Sequence, residues 1–240
     1  MKKSLFILML LSIEFLTAQS VAKVENHRSQ AMDVVLFTFG MDQPISIGTL
    51  SKSGELNIKL PEDINQISDE AKENSMNDAD YTLFSNCGGG EEMLSEDENM
   101  KAAKAGYVSL STKENGYSGL LFMVTDENLV PWLEAYGNID AVLGSYFEVV
   151  YMASDFNFKG ECTSTLTVSE TDSIVTQYTY DLKLKAGFNF IEYKIETLEK
   201  HEMPTPYGEN ESEMIDKPIK VSVSSSQTAL PNTKWFVKYF

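Results

Sequence analysis

Residues 174–198 read IVTQYTYDLKLKAGFNFIEYKIETL, and this stretch decides the fold class. Tyr178, Tyr180, Leu182 and Leu184 recur at every second position, the period at which side chains share one face of a β-strand. After Ala186-Gly187 the alternation resumes. Phe188, Phe190, Glu192 and Lys194 point one way; Asn189, Ile191, Tyr193 and Ile195 point the other. Two alternating runs around a two-residue turn predict a β-hairpin with arms 174–185 and 188–198.

The same reading extends outward. Strand-forming runs at 21–25, 34–39, 45–50 and 55–60 precede Pro61, with the turn 51–54 between the last two. Runs at 107–112 and 119–125 flank Asn115-Gly116, a strong hairpin dipeptide. Runs at 146–153 and 162–169 read as a pair, and 219–223 and 234–240 close the chain. In the last run Trp235, Val237 and Tyr239 would face inward. The opposite face carries Lys234 and Lys238, too costly against lipid for an outer-membrane barrel. One helix is expected near 129–136, with Pro131 in its first turn and Gly137 as its stop. A second, over 91–105, rests on good helix formers alone. The seven prolines fall at segment edges, as strand interiors require. The expectation is an all-β, antiparallel β-sandwich (jelly-roll or immunoglobulin/transthyretin-like) with one short helix and two long acidic loops. Its organisation would be a small β module over 21–61, an acidic linker over 62–80 and the main sandwich over 81–240.

The start of the chain reads as an export signal. Lys2 and Lys3 precede an apolar run from Leu5 to Ile13, and small residues follow at Ala18 and Ser20. Such a segment, residues 1–20, is a secretory signal peptide, too short to be a membrane span. The expected address is therefore periplasmic or extracellular, with no transmembrane helix.

Charge narrows the partners. The chain carries 36 acidic residues against 19 basic ones, a net charge of −17. Residues 62–98 hold twelve acidic residues and one basic, and 199–216 hold six and one. Nearly all the excess therefore sits in two segments rich in turn residues, and the rest is close to neutral. A surface of this sign does not bind nucleic acid through its phosphates.

Cys87 and Cys162 are the only cysteines, and in an exported chain two cysteines most simply form one disulfide. The acidic segments suggest calcium, a hard cation that takes clustered carboxylates. Its candidate ligands are Asp78 and Asp80 in one turn, and Glu96, Asp97 and Glu98 in another. Neither follows the spacing of an EF-hand. Trp132, Tyr136, Tyr178 and Tyr180 are candidates for a surface on which a ligand stacks. Glu148 and Glu192, set among apolar neighbours in strands, are the carboxylates that stand out as a hydrolytic pair. No nucleophile elbow, P-loop or zinc spacing is present.

The segment from Ile47-Gly48-Thr49 through Gly54-Glu55-Leu56-Asn57-Ile58 resembles hairpins of transthyretin-like and carboxypeptidase-regulatory-like β-sandwich modules. It spans some fifteen residues and implies a β-sandwich, nothing finer. The functional expectation is an exported, non-enzymatic binding or scaffold protein whose partner is a glycan, a peptide or an envelope protein. The alternative is a secreted hydrolase acting on glycans through paired carboxylates.

Overall fold

A computed structural model describes residues 20–87, 100–169, 172–204, 212–226 and 232–240. Residues 1–19, on which most of the expected export signal falls, lie outside them, and Ser20 opens the first strand.

The fold is all-β, sandwich-like and built on one large sheet. Its first strands, β1 (Ser20–Lys23), β2 (Met32–Leu36), β3 (Ile45–Leu50) and β4 (Glu55–Ile58), form an antiparallel group in the order β1-β4-β3-β2. Alternation puts Ile45 and Ile47 of β3 and Leu56 and Ile58 of β4 inside, and a register shift between Ser46 and Gly48 brings Leu50 in with them. Gly48 makes this packing feasible. Its backbone lies so close to Asn57 that a Cβ would sit 1.9 Å from the Asn57 carbonyl oxygen.

The acidic segment after Pro61 is more ordered than its composition suggests. It contains α1 (Asp69–Ser75), a two-residue strand β5 (Asn77–Asp78) and α2 (Ala79–Leu83), followed by a 3-10 turn at Ser85–Cys87. Ser68 caps α1 by accepting from the Ala71 N–H, and Asp69 and Glu70 suit the positive end of the helix. Leu83 and Phe84 anchor the end of the segment in the core. The expectation of one short helix is thus corrected: three lie among the described residues, the third being α3 (Leu129–Glu134). The helix expected over 91–105 is corrected where it can be seen. Lys101–Lys104 is β6, a short strand whose Ala102 and Ala103 are both buried. Residues 88–99 lie outside the described ones.

β2 pairs with β7 (Val108–Ser111), and β7 with β8 (Gly119–Val124), so the first four strands share one sheet with the rest of the chain. The last strand, β14 (Lys234–Tyr239), lies along β8 with Trp235 and Val237 buried, as alternation requires. A single parallel bridge, Val24 to Trp235, brings β1 back toward β14. The sheet curls there but is not closed into a barrel.

Four long strands form the remainder: β9 (Gly144–Met152), β10 (Phe156–Thr167), β11 (Ser173–Leu184) and β12 (Gly187–Pro204), with β13 (Ser212–Ser226) added to them. Their order is β9-β12-β13-β11-β10. The expected hairpin is therefore corrected. β11 and β12 do follow one another through a short turn, but β13 lies between them, parallel to β11 and antiparallel to β12. Nor do β9 and β10 pair; β9 lies against β12, and β10 against β11. Alternation fixes the face of each side chain and says nothing of which strand stands beside it. The second acidic segment is likewise no simple loop. Its flanks are the distal arms of the β12–β13 ladder, from Glu199 opposite Lys217 to Pro204 opposite Ser212.

The core has two parts, one on each face of β9 and β12. Phe147, Val149, Phe188 and Phe190 join the first, with Trp235 and the interior of β2, β3 and β4. Val150, Met152, Ile191, Tyr193 and Ile195 join the second, with α2, β10, β11 and β13. These central strands are buried on both sides, which is why 188–191 is an unbroken buried run.

Candidate functional site

The site begins with Pro218. The proline edge rule fails at this residue, which lies inside β13 opposite Leu198. A proline has no N–H for a neighbouring strand. The ladder between β11 and β13 accordingly begins only at Gln177–Lys220. Before that point the Thr176 hydroxyl bridges the gap, donating to the Pro218 carbonyl at 2.7 Å. Where the two strands part, a cavity of about 140 Å³ opens to solvent.

α3 and the loop after it complete the cavity. Leu129 is buried and seats the helix on the second core. The chain then turns through Tyr136 (φ 51°) and Gly137 (φ 77°), and the Gly137 N–H closes the turn by donating to the Trp132 carbonyl at 2.9 Å. The next residues are tied to β13. Ala141 N–H donates to the Asp216 carbonyl, and Asp216 N–H donates to Asp140 Oδ1. Trp132 is thereby held over the cavity, facing strand residues Tyr146, Tyr178 and Val221. Ile174 and Ile195 add aliphatic walls, and Leu166, half exposed, stands at the mouth.

Two polar groups on this wall are unusual. Lys217 is only 6% exposed. Its ammonium donates to the Gly137 carbonyl at 2.5 Å, and among the described residues it has no carboxylate within ion-pair distance. Burial pushes its pKa below the ordinary lysine value, opposed in part by the charge of Asp140. The second is Trp132 Nε1, a buried N–H with no hydrogen-bond acceptor among the described residues. It borders Gly137, where a Cβ would lie 3.6 Å from it. A buried donor without an acceptor costs about 1–3 kcal/mol. Both groups can only donate.

The aromatic residues behind the wall form a continuous stack. Trp132 and Tyr146 have ring centroids 5.8 Å apart, and Tyr146 lies parallel to Tyr193 at 5.0 Å. Burial drives the phenols of Tyr146 and Tyr193 well above the usual tyrosine range, reinforced by the carboxylate of Glu148. Tyr178 is raised by burial alone.

Of the four residues expected to stack a ligand, the structure brings together two, Trp132 and Tyr178. Tyr180 is fully buried behind them, its hydroxyl 3.5 Å from Cys87 Sγ. Tyr136 stands outside on the loop, 88% exposed. Sequence reasoning misses Tyr146, Lys217 and Pro218. A proline within the strand-forming run 215–223, which ends in the alternation Ile219, Val221, Val223, is the available signal.

Cys87 and Cys162 form a disulfide, with Cα atoms 5.8 Å apart. It joins the 3-10 turn to β10 beside the aromatic group Phe84, Phe158 and Tyr180.

The proposed calcium ligands lie apart from the cavity. Asp78 is in β5, ion-paired with Lys101 at 2.5 Å, and Asp80 is in the first turn of α2. Glu96, Asp97 and Glu98 lie outside the described residues. No group of three or more His, Cys, Asp or Glu that could hold a metal occurs among the described residues. Glu148 and Glu192 do not meet. Glu148 shares a face with Tyr146 and Val150, toward the second core, and is paired with Lys104 at 3.3 Å. Glu192 shares the opposite face with Phe188 and Phe190 and is 3.4 Å from the Ser224 hydroxyl. No helix among the described residues is long and apolar enough to cross a membrane.

Compared with protein-family models, curated proteins and solved structures, the chain matches none.

Proposed function

We propose that the protein is an exported binding protein without catalytic activity, and that its ligand seats in the cavity between α3 and β10–β13. The observation that carries this reading is the cavity wall: three aromatic side chains, Trp132, Tyr146 and Tyr178, beside the buried Lys217. Binding sites combine an apolar wall with a few placed polar groups in this way. Two further points support it. The disulfide suits an oxidising compartment, where an export signal at 1–20 would deliver the chain. The carboxylates Glu148 and Glu192 face opposite sides of the sheet, so these two do not form a hydrolytic pair.

The test is a nitrogen-edited NMR titration of the two indole N–H signals, one from Trp132 and one from Trp235. Trp132→Phe assigns them by removing one. Ring-sized compounds of neutral, acidic and basic character, sugars included, are added at millimolar concentration. The reading expects a saturable shift of the Trp132 signal with Trp235, in the opposite core, unmoved. If no compound moves Trp132 on the folded protein, the cavity is not a binding site. Retention of the chain in the cytoplasm of its own cells, found by fractionation, would overturn the exported part.

A further inference from the structure

Resting on the cavity as the binding site, the geometry points to a ligand class: we infer that it takes a small monocarboxylate with a single ring or a branched apolar body. Size sets the first limit. A cavity of about 150 Å³ holds one benzene ring, and this one is about 140 Å³. The wall chemistry sets the second. Trp132, Tyr146 and Tyr178 offer π-faces to a flat or aliphatic body. The ammonium sets the third. Lys217 uses one ammonium proton on the Gly137 carbonyl and keeps two, while the Trp132 indole N–H is closed off from solvent and leaves the ring alone to line the wall. A carboxylate accepts from the Lys217 ammonium and supplies at contact distance the countercharge that Asp140 exerts only from beyond ion-pair range.

The alternatives fit less well. A cation would be placed beside a buried ammonium. A neutral ring would fill the volume but bring no charge to the cation, whose present partners are the Gly137 carbonyl and, from beyond ion-pair range, Asp140. A polyanion would be repelled by a chain of net charge −17, whereas a single negative charge is repelled far less. The loop that carries Gly137 is also fixed to β13 through Asp140, Ala141 and Asp216, so the Lys217 ammonium bonded to it is held in place before the ligand arrives.

Benzoate and benzamide test the inference, being nearly identical in shape and differing in charge. Each is titrated against the full chain at constant ionic strength, with the Trp132 indole signal as the readout and acetate as control. Benzoate should bind at least tenfold more tightly than benzamide, and acetate should not saturate. Lys217→Met should abolish the preference for benzoate while benzamide still binds, which also shows that the variant has folded. Trp132→Phe, followed by the ring signals of Tyr178, should weaken benzoate and benzamide alike, since Trp132 offers a ring face and Lys217 the charge. Equal binding of the two compounds by the unaltered protein overturns the carboxylate assignment and leaves the binding cavity standing. Failure of both compounds, and of every neutral ring, overturns the cavity itself. A preference for benzoate that survives Lys217→Met places the anion elsewhere and overturns the role given to this lysine.

Discussion

Gly48 shows how one residue constrains a hairpin. It pairs with Ile58 on one side and Val34 on the other, so its strand is flanked on both edges. A methyl group there would enter the Asn57 carbonyl, which is backbone and held in the ladder. Alanine at this position should therefore act as overpacking does, at a cost of about 1–3 kcal/mol. Gly116 is the control, since a Cβ there meets nothing within 4 Å. Gly116→Ala should stay within about 0.5 kcal/mol of the parent. Denaturant melts of the two variants check both, and equal midpoints would refute the account. In the amino-acid sequence Gly48 is legible only as part of a β-sandwich-like hairpin. That its hydrogen atom faces a carbonyl depends on register, which one strand's sequence does not carry.

At the scale of elements, what can be read from sequence is local. β4 buries Leu56 and Ile58 as its alternation requires, and α3 with its Gly137 stop follows from Pro131 and one apolar stripe. What cannot be read is adjacency: β11 and β12 look like partners because a short turn joins them, yet β13 stands between. α1 is legible in principle, through Ser68 followed by Asp69 and Glu70, but it buries none of its residues and so shows no apolar period. The cavity is half legible. Trp132 and Tyr178 are visible as aromatic residues, while Lys217 becomes notable only through the burial of its ammonium. The disulfide joins two such elements across 75 residues, fastening the turn after α2 to β10. In the chain-entropy account, closing a loop of this length stabilises by about 4 kcal/mol. Replacing Cys87 and Cys162 together by alanine should lower the unfolding free energy by about that amount. Hydrogen exchange should rise first at 79–87, while β12 and β13, paired along most of their length, keep their protection. Uniform loss of protection across the sheet would show that the disulfide holds more than this corner.

At the scale of the whole molecule, β9 and β12 lie between the two cores, and the tyrosines buried around them make the fold sensitive to alkali. Tyr107, Tyr146, Tyr151, Tyr178, Tyr180 and Tyr193 all have pKa values raised above 10.0, each chiefly by burial. Below pH 10 folded and unfolded chains both hold these phenols protonated, and their burial stabilises in full. Above it the unfolded chain releases the protons while the folded chain retains them, so stability falls as pH rises toward the folded values. Lys217 acts in the other direction. Its folded pKa lies below the ordinary 10.5, so stability gains as pH climbs through that window. One lysine against several buried phenols leaves the tyrosines dominant. Tyr146 and Tyr193, both raised well above the ordinary value, stack on each other, so exposing one exposes both. Each can withdraw up to about 1.4 kcal/mol per pH unit in this range. Against a domain stability of about 5–15 kcal/mol, the combined slope suffices to unfold the chain within a few pH units. The expected result is one cooperative alkaline transition above pH 10, in which tyrosinate absorbance and loss of strand circular dichroism rise together. Phenylalanine at 146 and 193 should move it to higher pH. Smooth ionisation of every tyrosine near pH 10 with the sheet intact would show that these rings are not sealed between the strands.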